Sequence, residues 1–565
     1  MPKRVAITIA GAVSLGSYEA GVLYELLRAI RTHNDDPATT VDNKIYIDVL
    51  TGASAGAMTA AMVAERLMYS AADLDGEFTN VLYQAWVEQI SLMGLVKLKL
   101  KEKRWHSLFS SDLIESIGRK MLIECMTQPG SGPHNTVEKV SDVPQSLRVG
   151  LAVTNLSGID YMIPIAGNDD EGFNYTTSAD QKRFEIKPGD QNNKKQWEQL
   201  CDAAVGSGAF PVAFRPKAID HDVQEYGIPL PEDKLQRKQG VTYVVWAGEC
   251  PRPFAHSDGG VLQNQPLGIA KDLVDEAVAE RATRIGVAAE CDSDDRLYVF
   301  VSPHSVSSTA RNSLKAEKIS IAGELKQLVN VYLRQATYHD WIGAEAMNQK
   351  ITRLDRFASQ LADVITQGIV DPATLAQAAN DLNLLLMQAQ QVDRVNRLRE
   401  QYSVKYAQVK EFAGDAAAEA FITAVATLEA AGALEDHDKM KIVAVIASED
   451  ELAGAGLAAF AGFFRKKFRE HDYRVGRMKT RKYLQRNDVK GILGVTEWPE
   501  QKEWAKPLED QAKVKLPVSG FSLIASGFVP ALIMILIRPL LVVLLFLVTA
   551  LVVFGGHLVL NRLHL

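Results

Sequence analysis

Three short stretches of this 565-residue chain hold side chains able to do chemistry. The first is Thr51-Gly52-Ala53-Ser54-Ala55-Gly56, entered from the apolar run Ile45–Leu50 and left through small residues up to Ala64. G-x-S-x-G between a strand and a helix is the pattern of a nucleophile elbow. Gly52 and Gly56 leave room for a strained turn that a Cβ on either side would crowd. Such a turn exposes the Ser54 hydroxyl and aims the helix amino terminus at a developing anion. A tight turn with no chemistry is the plainer reading. The second stretch is Gly11-Ala-Val-Ser-Leu-Gly16 after the strand-like Val5–Ala10. A loop of this kind gathers backbone N–H groups that can hold a phosphate or an oxyanion, or it is a bare strand–helix turn. The third is His256-Ser-Asp258-Gly259-Gly260, with Asn264 and Pro266 close behind. Asp258 is either a simple turn residue or a carboxylate placed to take a serine proton. His256 and His304 are alternative bases for a triad, although the Ser–acid–His order with a late elbow fits this chain poorly.

Composition narrows the chemistry. A hydrophobic share of 47% and a charged share of 23% belong to a folded globular chain, and a net charge of −7 gives no footing for a nucleic-acid partner. Cys125, Cys201, Cys250 and Cys291 are scattered without a C-x-x-C pair or clustered histidines. That spacing points to no metal, no disulfide framework and a reducing compartment. Met1-Pro-Lys-Arg before Val5–Ala10 imitates a signal peptide, but the apolar region is too short, and we expect a buried first strand.

The elements that must position these residues alternate along the first 300 positions. Val5–Ala10, Ile45–Leu50, Leu147–Val153, Thr242–Trp246 and Leu297–Val301 read as strands, with Val22, Leu23, Leu26, Leu27 and Ile30 at helical spacing between the first two. This is an α/β pattern with a mainly parallel sheet. From 306 to 440 the texture turns to Ala, Gln and Leu. Ile351, Leu354, Phe357, Leu361 and Val364 have a helical period, as do Leu375, Ala378, Leu382 and Leu385, which predicts a helical insertion. Residues 441–500 return with a strand at Lys441–Ala447 and a basic stretch, Arg465–Lys490, holding eleven Lys or Arg against three acids. The stretch is either a helix face with structural salt bridges or a surface for anionic headgroups.

In order and approximate spacing, Gly11–Gly16, Gly52–Gly56 and Asp258–Gly260 resemble the patatin-like phospholipases. Ala209-Phe-Pro211, with Phe214 and Pro216, resembles the segment that precedes the family's aspartate, and Arg469–Arg477 resembles the tail of larger bacterial patatin-related proteins. The resemblance covers about residues 3–300. It implies a three-layer sandwich over 1–305 and a lipid acyl hydrolase that cleaves ester bonds by a Ser54–Asp258 dyad. Backbone N–H groups of Gly11, Ala12 and Val13 would form the oxyanion hole, with no metal and no cofactor. The chain departs from the family where Ala12 and Val13 replace two glycines and Leu15 replaces a basic residue.

Leu516–Ile537 carries no charge, Arg538-Pro539 interrupts, and Leu540–Val559 resumes. Each half is long enough to cross a bilayer core of roughly 20 apolar residues. We therefore expect a membrane anchor of one or two helices over 517–560. The basic flank places the catalytic domain on the cytoplasmic side. The expected partner is a phospholipid or other lipid ester. Other readings are an esterase or thioesterase for soluble acyl compounds, or a membrane-tethered scaffold with a degenerate site. Nothing in the sequence sets an oligomeric state.

Overall fold

Short β-branched runs become strands, and in the computed structural model they join one ten-stranded sheet. The structure describes residues 2–68, 76–96, 107–123, 146–164, 172–187, 193–233, 236–238, 241–285, 296–303, 348–352, 356, 358–363, 377, 399, 402–403, 407–431, 440–455 and 459–498. The strands are β1 (Lys3–Ile9), β2 (Ile45–Ala53), β3 (Leu147–Pro164), β4 (Gly172–Ile186), β5 (Lys217–His221), β6 (Ile228–Pro229), β7 (Tyr243–Val245), β8 (Arg252–Asp258), β9 (Arg296–Ser302) and β10 (Ile442–Ile446).

Neighbouring strands run in the order β10-β9-β1-β2-β3-β7-β6, with β4 and β8 also paired to β3 and β5 paired to β8. From β10 to β3 every pairing is parallel. The centre of the sheet is thus parallel as expected; beyond it β4, β7 and β8 are antiparallel to β3, and β6 is parallel to β7. A parallel partner needs a long crossover, usually a helix, and the short link from β3 to β4 offers none.

The parallel half is covered on both faces, which is why its strands are apolar throughout. Alternate residues of β1 divide between two clusters: Val5, Ile7 and Ile9 join one, Ala6 the other. The first cluster includes the helices Gly16–Asp35, Ala55–Met68 and Lys194–Ser207. The second includes Leu267–Ile285. This is a three-layer α/β sandwich. At the amino-terminal end of the parallel strands, Arg296 of β9 grips Asp48 of β2 with two bonds of 2.5 and 2.9 Å, and Arg4 of β1 adds a second cation at 3.7 Å.

The helix Lys466–Leu484 lies against Gly16–Asp35, and two glycines set their separation. A Cβ at Gly21 would stand 2.0 Å from Tyr473 O, and one at Gly476 2.2 Å from Tyr18 O. The basic stretch is therefore largely structural. Arg477 is buried and pairs with Glu25 at 2.8 Å, Arg481 reaches the same carboxylate at 2.7 Å, and Arg469 donates to the carbonyls of Val87 and Gly462.

Within 306–440 the helices Ala407–Ala413 and Asp415–Ala431 share a small core around Val409, Phe421 and Val425. Most of the expected periodic positions there lie outside the described residues. So does the apolar tail 517–560. Among the described residues no helix is long and apolar enough to cross a membrane.

Candidate active site

β2 ends in the elbow. Ser54 sits between strand and helix with φ of 54°, the left-handed region that most side chains avoid. The turn holds because its neighbours are too close for anything larger than glycine. A Cβ on Gly56 would lie 2.4 Å from Ile9 O, and one on Gly52 would lie 2.4 Å from Gly56 O. The Ser54 N–H donates to Ser207 Oγ at 2.8 Å, and Ser207 in turn donates to Ala152 O at 2.6 Å. Ser207 thus ties the elbow to β3.

β8 ends at Asp258 beside it, and Ser54 Oγ donates to Asp258 Oδ2 at 2.5 Å. The other carboxylate oxygen accepts the Gly260 N–H at 2.7 Å. Asp258 is fixed by its main chain as well. Its N–H donates to Ala209 O at 3.0 Å, within the Ala209-Phe-Pro segment, and its carbonyl accepts from Thr154 Oγ1 at 2.8 Å. Gly259 is required because a Cβ there would overlap Ala152 O at 2.0 Å. Burial raises the Asp258 carboxyl to about 7, against the Ser54 and Gly260 hydrogen bonds that lower it. The site therefore holds a hydroxyl against a buried carboxyl whose proton affinity is far above that of an exposed one.

His256 is near in sequence but engaged elsewhere. Its ring nitrogens lie 3.0 Å from Phe254 O and 3.1 Å from Asp180 Oδ2. His304 lies outside the described residues.

The Gly11–Gly16 loop faces the elbow, with Gly11 packed so closely that a Cβ would stand 3.2 Å from Ser54 Cβ and 2.1 Å from Asn264 Oδ1. Gly11 departs from its expected part in an oxyanion hole, because its N–H already donates to Asn264 O at 3.0 Å. Leu15 N–H donates to Ala12 O and turns the loop into the helix that begins at Gly16. Val13 has φ of 52°, a costly setting for a β-branched residue. The loop is clamped from outside: Ser14 Oγ bonds Ala459 O and accepts the Gly462 N–H at 3.1 Å. Leu15 is fully buried beside Gly454.

Sequence reasoning gave Ser207 and Thr154 no part and left Asn264 without a role. The run of small residues around Ser207 was the one local hint. Asp180, His221 and His256 were likewise invisible as a group, since the fold gathers side chains that the chain keeps far apart.

A three-layer α/β fold that presents a serine hydroxyl to a buried carboxyl is the architecture of a hydrolase. Residues 7–271 match the family model described as Patatin-like phospholipase, so this part of the chain is a patatin-like domain. An uncharacterized protein of Sinorhizobium fredii is 25% identical over 324 residues, covering 47% of this chain and 44% of that one. An uncharacterized membrane protein of Mycobacterium tuberculosis is 24% identical over 337 residues, covering 54% of this chain and 27% of the relative. The chain thus spans less than half the length of either relative.

Proposed function

We propose that the protein is a phospholipase A-type acyl hydrolase working through a Ser54–Asp258 dyad. The observation that carries this reading is the 2.5 Å hydrogen bond from Ser54 Oγ to Asp258, with no other base on that hydroxyl among the described residues. Asp258 takes the Ser54 proton as Oγ attacks the ester carbonyl carbon. The resulting oxyanion lies before the amides of Ala12 and Val13 and the first turn of the helix Ala55–Met68, whose dipole favours negative charge there. Collapse breaks the bond to the leaving alcohol, which receives the proton from Asp258. Water then attacks the acyl-enzyme, Asp258 takes its proton, and release of the fatty acid returns that proton to Ser54.

Membrane association rests on the apolar tail and on the description of the mycobacterial relative as a membrane protein. With the catalytic domain on the cytoplasmic side, the enzyme would meet its substrate in the inner leaflet.

The test is a lipid-product assay on mixed phospholipid vesicles together with labelling by a fluorophosphonate. Ser54→Ala should abolish both, and Asp258→Asn should lower turnover by at least about 100-fold, the scale of losing a general base. Fatty acid release that survives Ser54→Ala in a folded protein would reject the assignment. Cleavage of short soluble esters with none of vesicle lipid would favour the esterase reading.

A further inference from the structure

Three buried side chains that hydrolysis does not use converge behind β8. Asp180 of β4, His221 of β5 and His256 of β8 each offer one ligand atom, all within 4.8 Å of one another. Their hydrogen bonds fix which atoms are free. His256 Nδ1 lies 3.0 Å from Phe254 O, which can only accept, so Nδ1 carries the proton. His221 Nδ1 lies 3.1 Å from Glu225 Oε2, whose other oxygen is held by Lys182 Nζ at 2.6 Å. That carboxylate also only accepts, so His221 too is protonated at Nδ1.

Both Nε2 atoms are then lone pairs. His256 Nε2 faces Asp180 Oδ2 at 3.1 Å, one acceptor against another. His221 Nε2 is buried and has no hydrogen-bond partner among the described residues. One extra proton on His256 would join it to Asp180 and still leave His221 Nε2 orphaned. One cation accommodates all three.

We propose that Asp180, His221 and His256 bind a divalent transition-metal ion of the Zn²⁺ type, which ties β4, β5 and β8 together. The spacing fits, since tetrahedral ligands at 2.0–2.1 Å from zinc stand about 3.3 Å apart. Two imidazoles and one carboxylate select such an ion over Ca²⁺ or Mg²⁺, which prefer all-oxygen sites. The outer partners are those of metal-bound histidines, a carboxylate on one Nδ1–H and a main-chain carbonyl on the other. Tyr226 Oη and Asn155 Nδ2 donate to Asp180 Oδ2 at 2.8 and 3.2 Å and orient the carboxylate. The ion takes no part in hydrolysis. It holds the strand that ends, two residues after His256, in Asp258.

The experiment uses the full chain, stripped with a chelator, given Zn²⁺, desalted and analysed for metal. About one ion per chain is expected, with a rise in melting temperature as the ion binds the folded state alone. Co²⁺ in its place should give the visible absorption of a low-symmetry, four- or five-coordinate site. His221→Gln should reduce uptake to background. Glu225→Gln, which leaves the three ligands in place, should weaken Co²⁺ affinity about 10- to 100-fold, the usual cost of losing an outer partner. No uptake by the parent chain overturns the proposal. Undiminished uptake in folded His221→Gln, or unchanged affinity in Glu225→Gln, overturns it as well. Each readout counts metal or heat and is independent of whether the chain hydrolyses lipid.

Discussion

At the scale of single residues, the site depends on groups that do no chemistry. Ser207 accepts one buried hydrogen bond from the Ser54 N–H and gives another to β3. Ser207→Ala strands two buried main-chain groups, so a stability loss of about 1–3 kcal/mol is expected. Because the lost bond holds the elbow rather than the substrate, kcat should fall while KM for a soluble ester stays near the parent value. Urea denaturation and steady-state kinetics check both, and an unchanged kcat would remove Ser207 from the positioning role. Val13 makes the opposite case. Truncating a partly buried valine usually costs stability, but here its φ of 52° stores strain of about 1–3 kcal/mol. Val13→Gly relieves that strain, so its urea midpoint should lie close to or above the parent's. A loss of several kcal/mol would show that valine packing outweighs the backbone conformation.

At the scale of elements, the helix Lys466–Leu484 holds the Ala453–Gly454 segment through a buried acid. Asp472 accepts the N–H groups of Ala453 and Gly454 at 2.7 and 2.9 Å. Burial raises its carboxyl to about 8, against those two bonds that lower it. The sign follows from proton counts. Between the unfolded value of about 4 and the folded value, the native state holds a proton that the unfolded state has lost. Stability from this group is thus complete below about pH 4 and declines as pH rises towards 8. Asp472→Asn keeps an acceptor for one N–H and removes the titration, so its urea midpoint should decline less between pH 5 and 8 than the parent's. Parallel pH curves for the two proteins would show that Asp472 is ionised in the fold.

At the scale of the whole molecule, the sheet that carries the candidate site is completed by residues far along the chain. β10 pairs in parallel with β9, and Lys466–Leu484 packs on the first helix. Cutting the chain near residue 305 should therefore leave an insoluble fragment. Deleting 517–565 is different. The sheet, the elbow and the helix Lys466–Leu484 all precede that segment, which the proposed membrane association would place in lipid. The truncated protein should become soluble and keep nearly full turnover of a small soluble ester. Its vesicle hydrolysis should fall much further, because its effective concentration at the surface is lost. Fractionation and paired assays read this, and aggregation with loss of both activities would make the tail part of the core.

The sequence by itself determined the elbow, the first loop, the aspartate turn and the alternation of strands and helices. These signals are local: glycine spacing, apolar period and strand length are written in neighbouring residues. The tertiary structure decided what neighbouring residues do not encode. It turned β4, β7 and β8 antiparallel to β3, because strand direction depends on the connections between strands. It placed Ser207 under Ser54 across 153 positions and drew the basic Arg477 inward to Glu25 across 452. It committed the Gly11 amide to Asn264, which no spacing rule foresees. And it brought His256 to Asp180 across 76 positions, making a buried ligand cluster from histidines that look isolated along the chain. Direction, burial and hydrogen-bond partnership depend on where chain segments meet in space, and that is set by packing of the whole molecule.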